Sequence, residues 1–306
     1  MSDHINPRDY EISAPYKAYL QNIRTFVSTI GFPRSGSSLV GYLLTAHRNI
    51  IIAHEPFIKY KDLYEFDPPV LFNRIFRVDR YRYKVAKEFT ENTEKSSLPN
   101  ENGSKSRYGE ANTYAMVPHQ WQACCKSLQV IGVKDSSYST NELSKINVLK
   151  TLRENLNNES VNCLKFIFTV RNPYDMITTS VAYWGNNKRI RTVTQNDIDM
   201  MLDRKVKIRF PILCKSIKSL VTLIRAEDIF INRHEDIMAS PVDQLSKLCD
   251  FLRVPAFPDY LSDCASVVHK KANKSRYELD WSEQQKEVVA KLIDQYHFFS
   301  GYSWDS

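Results

Sequence analysis

Two stretches of this 306-residue chain carry residues whose types and spacing suit the holding of anions. The first is Gly31-Phe32-Pro33-Arg34-Ser35-Gly36-Ser37-Ser38. Its glycines let the backbone turn tightly, so that successive N–H groups point inward at an anion. A helix opening behind the turn adds the positive end of its dipole. The hydroxyls of Ser37 and Ser38 can donate to phosphate oxygens, and Arg34 supplies a fixed positive charge. A nucleoside-triphosphate loop would read GxxxxGK[ST]. Here Ser37 stands where that lysine would be and the cation has moved forward to Arg34, which argues against an ordinary kinase or ATPase. The second stretch is Arg171-Asn172-Pro173-Tyr174-Asp175, with Thr179 and Ser180 following. An arginine at a strand's carboxyl end, then Asn-Pro opening a helix, forms a second anion site where open α/β sheets bind ligands.

The elements that must position these groups follow from the apolar pattern. Thr25 to Ile30 is a β-branched and apolar run ending at Gly31, read as a buried strand. From Ser37 the residues Leu39, Val40, Leu43 and Leu44 recur at helical spacing. Ile50 to Ile52, Leu128 to Val133 and Phe166 to Val170 read as further strands, and Phe230 with Ile231 as another short one. Leu143, Ile146, Leu149 and Leu156 fall at helical spacing, and a helix is expected from Pro241 to about Leu252, proline being at home in a first turn. Strands alternating with helices predict an α/β fold with a central, mostly parallel sheet covered on both faces. No internal repeat and no Gly/Pro/Ser-rich linker divides the chain, so a single domain over 1–306 is expected. Phe57 to Arg107 breaks the rhythm with dense aromatics and basic residues, then turns polar from Glu91 to Ser106. It is read as an insertion, at about residues 57–110, with the polar part a substrate-side loop or lid.

The first motif resembles the 5′-phosphosulfate loop, P-[KR]-S-G-[ST]-[ST], of sulfotransferases that use 3′-phosphoadenosine 5′-phosphosulfate (PAPS). The second resembles their 3′-phosphate signature, R-[ND]-P-x-D-x-x-x-S, in which the Arg and a Ser eight residues on hold the 3′-phosphate. Thr179 keeps the hydroxyl at that position, and Ser180 is the fallback. Arg233-His234-Glu235-Asp236-Ile237, then Pro241, Leu245, Leu248 and Phe251-Leu252, resembles the family's [RH]-Y-E-D-L…P…FL segment. The family's aromatic there lines the adenine pocket; this chain carries His234 instead. Lys270 to Arg276, including Lys274, Ser275 and Arg276, resembles the flexible basic loop that closes over the nucleotide. The resemblance runs from Thr25 to about Tyr302 and implies the P-loop-like sulfotransferase fold, with Pro33 to Ser38, Arg171, Thr179 or Ser180, His234 and Lys274 to Arg276 on the nucleotide.

Sulfuryl transfer needs an in-line acceptor, a base to take its proton, and cations on the charge developing at the leaving phosphate. The leaving group is already good, so the chemistry itself requires no metal, and no convincing cluster of metal ligands is seen in the sequence. Small-molecule sulfotransferases of the cytosol place a His in a K-x-H pattern, but this chain reads Val133-Lys134-Asp135-Ser136 there. Tyrosylprotein sulfotransferases instead use a Glu soon after the phosphate loop, in a pattern resembling PRSGTTL…AHPD…EE. This chain shows PRSGSSL…AHRN…HE, aligned without a gap from Pro33 to Glu55. The resemblance therefore makes Glu55 the general base, with His54 in reserve. It also gives Lys134, in Lys134-Asp135, to transition-state charge together with Arg34.

Composition bounds the rest. The 42 Lys and Arg exceed the 35 Asp and Glu, a net +7 that suits an anionic ligand, but the basic residues are scattered rather than blocked, which speaks against nucleic acid. The opening MSDHINPRDY is polar, and no stretch approaches the ~20 apolar residues of a membrane span. The 6 cysteines, Cys124 and Cys125 adjacent, show no CxxC spacing and read as reduced core thiols. A cytoplasmic protein acting on a small-molecule acceptor is expected, with no nucleic-acid or membrane partner; oligomeric state is open, a homodimer being one option. Two other readings compete: a nucleotide kinase dependent on ATP and Mg²⁺, and a non-catalytic PAPS-binding relative. The absent Walker lysine counts against the first, and retention of Arg34, Glu55, Lys134 and Arg171 against the second.

Overall fold

The computed structural model of the chain describes residues 21–54, 71, 72, 75, 117–121, 127–134, 136–158, 161–186 and 194–306. In chain order the elements are β1 (Thr25–Gly31), α1 (Ser37–Thr45), β2 (Ile50–His54), β3 (Val130–Lys134), α2 (Ser136–Leu143), α3 (Ile146–Asn158), β4 (Cys163–Val170) and α4 (Pro173–Asn186). They continue with α5 (Gln195–Arg204), a π turn (Lys205–Arg209), α6 (Phe210–Leu223), β5 (Ile229–Arg233), α7 (His234–Ala239), α8 (Pro241–Leu252), α9 (Pro258–Val267) and α10 (Glu283–Gln295).

The strands form one five-stranded sheet in the order β2-β3-β1-β4-β5, and every described pairing is parallel. Such a sheet must bury both faces, which explains why its central strands read as continuous apolar runs rather than alternating ones. On β1, Phe26 and Ile30 join one core while Val27 joins the other. On β4, Phe166, Phe168 and Val170 face the first core, and Ile167 the second. The first core is closed by α3 (Leu149, Leu152, Leu156), α6 (Cys214, Ile217, Leu220) and α10 (Val289, Leu292, Ile293). The second is closed by α1 (Leu39, Val40, Leu43, Leu44), α8 (Leu245, Leu248, Leu252) and α9 (Tyr260, Cys264). Each such buried side chain contributes about 1.5–3 kcal/mol to keeping the layers together. The parallel sheet flanked by helices is the α/β architecture that the sequence predicted.

Several boundaries move. The β2 strand runs two residues beyond Ile52 to His54, and β3 starts at Val130 rather than Leu128 and ends at Lys134. These shifts matter, because they place both side chains on the sheet. The single helix suggested by Leu143 to Leu156 is two, α2 and α3, separated at Ser144 and Lys145. The stretch from Gln195 to Leu223 is one unbroken run of helix with a π turn inside it. Pro211 lies just after that turn; it lacks an N–H and its ring would clash with the carbonyl of Lys207, so the ladder widens there. Of the insertion expected at 57–110, only Leu71, Phe72 and Ile75 are among the described residues; all three are buried in the first core. The remainder, Glu55 and the Cys124–Cys125 pair lie outside the described residues. The described cysteines Cys163, Cys214, Cys249 and Cys264 are free thiols, and all but Cys163 are buried. No helix among the described residues is long and apolar enough to cross a membrane.

Candidate active site

The first anion motif leaves the carboxyl end of β1, and its backbone needs the residues it has. Gly31 has φ +126°, and a β-carbon there would lie 2.5 Å from the Thr169 carbonyl on β4. Gly36 has φ +89°, and a β-carbon there would lie 2.3 Å from His234 Nδ1. Arg34 also takes a left-handed φ, 67°, which a non-glycine residue holds only where its surroundings fix it. The loop thus alternates its backbone hand and then enters α1 at Ser37, where the first N–H groups of the helix have no intrahelical acceptor. Arg34 is exposed, Pro33 and Ser38 are half-buried, and Ser37 is buried.

Ser35 behaves differently. It is fully buried, donates to the Phe32 carbonyl at 2.7 Å and shares a 2.7 Å hydrogen bond with Thr169 Oγ1. Its hydroxyl bonds within the protein and braces the loop against β4. Thr140 on α2, which sequence reasoning did not single out, accepts from Gly31 N–H at 2.9 Å and holds the loop's other flank.

The second motif leaves the carboxyl end of β4, the strand beside β1, with Gly31 in register with Thr169. Asn172 Oδ1 accepts the Tyr174 N–H at 3.1 Å, and Pro173 is the first residue of α4, so the helix start is written locally. Arg171 is buried and donates through a terminal nitrogen to the Asn273 carbonyl, while its Nε has no partner among the described residues. Burial pulls the Arg171 pKa below its ordinary value; Asp175 and Glu235 oppose that, and Arg34 and Arg276 add to it. An arginine keeps its charge through such shifts. Thr179 Oγ1 and Ser275 Oγ lie 2.8 Å apart. Ser180, one residue on, points elsewhere and accepts from Lys205 Nζ at 2.6 Å. Burial, reinforced by Arg209, lowers the Lys205 pKa.

The stretch read as a flexible basic loop is anchored at its end. Lys270, Lys271 and Lys274 are exposed, but Ser275 and Arg276 are buried. Arg276 grips both oxygens of Asp175, Nε to Oδ1 at 3.1 Å and a terminal nitrogen to Oδ2 at 2.9 Å. Its other terminal nitrogen donates to the carbonyls of Ser303 (3.0 Å) and Trp304 (2.7 Å). These bonds anchor the loop to α4 and to the last residues of the chain. Lys274 Nζ donates to the Asp305 carbonyl at 3.3 Å. Asn172 Nδ2 donates to the Ser303 carbonyl at 2.8 Å, so the last residues of the chain lace the second motif to the basic segment. Nothing local in the sequence marks that tail as a partner; the aspartate of RNPYD was the one available signal.

Both members of the Asp175–Arg276 pair are 2% exposed. Removing one partner of such a pair strands a buried charge, at a cost of about 3–5 kcal/mol. Asp175→Asn is therefore expected to lower the midpoint of denaturant unfolding markedly; an unchanged midpoint in urea would show that the pair is not structural.

His234 opens α7 with its ring against Gly36, beneath the first motif. Burial and then the nearby Arg171 charge push its pKa down to about 4, so it is neutral at pH 7. Its Nδ1 has no partner among the described residues. On the other side of β1, Lys134 on β3 is in register with Thr29 on β1 and with His54 on β2. Lys134 and His54 are both buried, 5% and 2% exposed. Glu55, the residue after His54, lies outside the described residues.

A sequence model described as the sulfotransferase family matches residues 27–259 of the chain. No curated protein sequence matches. Among solved structures, the chain is similar to sulfotransferase STF9 of Mycobacterium avium, with 11% identity and a TM-score of 0.47 over 96% of this chain and 79% of that one. It is similar to mouse sulfotransferase SULT7A1 complexed with PAP, with 10% identity and a TM-score of 0.47 over 90% and 86%. It is also similar to the sulfotransferase domain of the curacin biosynthetic pathway, with 18% identity and a TM-score of 0.46 over 89% and 96%.

Proposed function

The chain belongs to the sulfotransferase family, and from that premise we propose that it moves the sulfuryl group of PAPS onto a hydroxyl or amine of a small-molecule acceptor. The reaction is an in-line displacement: an acceptor lone pair forms a bond to sulfur as the bond from sulfur to the bridging phosphate oxygen breaks. The acceptor's proton passes to Glu55, and the electron pair leaves with 3′-phosphoadenosine 5′-phosphate (PAP).

The observation that carries this reading is the adjacency of the two anion motifs. They leave neighbouring parallel strands, which lie about 4.8 Å apart, and the 2.7 Å bond between Ser35 and Thr169 ties one to the other. A single adenylate is long enough to place its 5′ end in the first and its 3′-phosphate in the second. In this assignment Pro33 to Ser38 and the start of α1 hold the phosphosulfate, with Ser35 bracing the loop from beneath. Arg171 and the Thr179 hydroxyl take the 3′-phosphate, and Ser275, whose hydroxyl lies 2.8 Å from that of Thr179 and donates to the Asp175 carbonyl at 3.1 Å, lies beside them. Arg276 holds that segment in place, and exposed Lys274 adds charge at the rim. His234 supports Gly36 from beneath, as a neutral ring. Lys134 and Arg34 face the charge that grows on the leaving oxygen, which is where preorganised cations lower a barrier most.

Incubation with ³⁵S-labelled PAPS or γ-labelled ATP and a panel of alcohols, phenols and amines, with and without chelator, tests the assignment. Label is expected on an acceptor from PAPS, unchanged by chelator, and none from ATP. Transfer from ATP that needs Mg²⁺ would establish a kinase instead, and tight PAP binding without transfer to any acceptor would establish a binding protein.

A further inference from the structure

Gly41 lies inside α1, where glycine is the poorest residue short of proline. The reason for it is a neighbour: a β-carbon at 41 would stand 2.6 Å from His54 Cε1, 2.9 Å from His54 Nε2 and 3.4 Å from Lys134 Cγ. The helix carries a notch, and one edge of the imidazole fills it. The next residue, Tyr42, stacks its ring on the face of that imidazole, with centroids 3.8 Å apart and planes 16° apart. Two consecutive residues of α1 therefore hold His54 by edge and by face. Lys134 stands beside it in register on the adjoining strand, its stem along the same notch. Gly41 is one helical turn from Ser37, the first residue of α1, so the notch is rigidly joined to the phosphate loop.

We propose that Gly41 and His54 are positioning residues for Lys134. The notch sets how deep the imidazole seats, the imidazole walls the lysine stem, and α1 fixes both relative to the donor's bridging oxygen. His54 then works through its shape, held 2% exposed, and not as a proton acceptor. The inference rests on the assignment of Lys134 to the leaving oxygen, but the packing beneath it can be tested on its own.

Four proteins suffice: the parent chain, Gly41→Ala, His54→Ala and the double variant. Thermal unfolding reads the packing. Alanine for glycine inside a helix normally raises stability; here it is expected to lower the melting temperature while His54 is present and to raise it once His54 is alanine. Hydrolysis of PAPS to PAP and inorganic sulfate, with water as the acceptor, reads the chemistry without any acceptor being known. Gly41→Ala is expected to lower its kcat roughly 100-fold, the scale of a 1 Å misplacement, with calorimetric PAP affinity nearly unchanged. In the His54→Ala background the alanine at 41 should cost no further rate, the signature of two residues acting through one contact. A melting temperature raised by Gly41→Ala in the parent background overturns the notch. Equal losses of PAP affinity and kcat, or additive losses in the double variant, overturn the positioning role. Absence of both PAP binding and PAPS hydrolysis in the parent chain would instead overturn the functional reading, and the melts would still decide the packing.

Discussion

Glu55→Gln is expected to abolish transfer from PAPS to the acceptor and to leave PAP affinity nearly intact. The amide matches the carboxylate in size but cannot take a proton at neutral pH, so the substitution isolates the base step. General-base catalysis contributes about 10²–10⁴ in rate, and a loss of that size should appear in kcat for acceptor sulfation. Binding should survive, because the groups assigned to the nucleotide leave β1 and β4, whereas Glu55 follows the end of β2 at the far side of β3. Single-turnover transfer of labelled sulfuryl, with PAP affinity from calorimetry on the same preparation, checks both halves. Retained transfer in Glu55→Gln, together with its loss in His54→Ala, would move the base to His54 and end the positioning account given for that ring.

Arg171→Ala is expected to weaken PAP binding by roughly 30-fold to 4,000-fold, the range for removing one member of a buried, hydrogen-bonded charge pair at about 2–5 kcal/mol, while AMP binding changes little. Arg171 is 7% exposed and lies where α4 begins, with Thr179 on the following turns of that helix and Ser275 Oγ 2.8 Å from the Thr179 hydroxyl. Charges of both signs surround it, so its position is set before any ligand arrives. Arg171→Lys should recover only part of the loss, because an ammonium cannot reproduce a planar fork. The comparison of PAP with AMP by calorimetry is decisive: equal weakening of both would remove the 3′-phosphate from Arg171.

Much of the fold was legible because the sheet is parallel and buried on both faces. Runs such as Thr25 to Ile30 and Phe166 to Val170 stand out against polar helices, and each ends in a turn whose residues announce an anion site. The helix expected from Pro241 to about Leu252 runs from Pro241 to Leu252, since proline opens it and its apolar spacing is regular. The break at Ser144 was not visible, because it leaves no trace in the apolar spacing, and the π turn at Lys205 to Arg209 had only Pro211 to signal it. In the candidate site, motif membership did not reveal what each polar atom bonds. Ser35 sits within the phosphate motif and yet spends its hydroxyl on Phe32 and Thr169. Arg276 sits within a basic run and yet is absorbed by Asp175 and by two carbonyls of the chain's last residues.

The sequence by itself determined the strand-loop-helix units and the family, because tight turns, caps and apolar periods are written in neighbouring residues. Tertiary structure alone decided which side chains stay available to a ligand. Thr169 lies 134 positions from Ser35, and Ser275 lies 96 from Thr179. Hydrogen bonds over such separations arise from how the layers stack, and they set which hydroxyls the protein braces before any ligand binds.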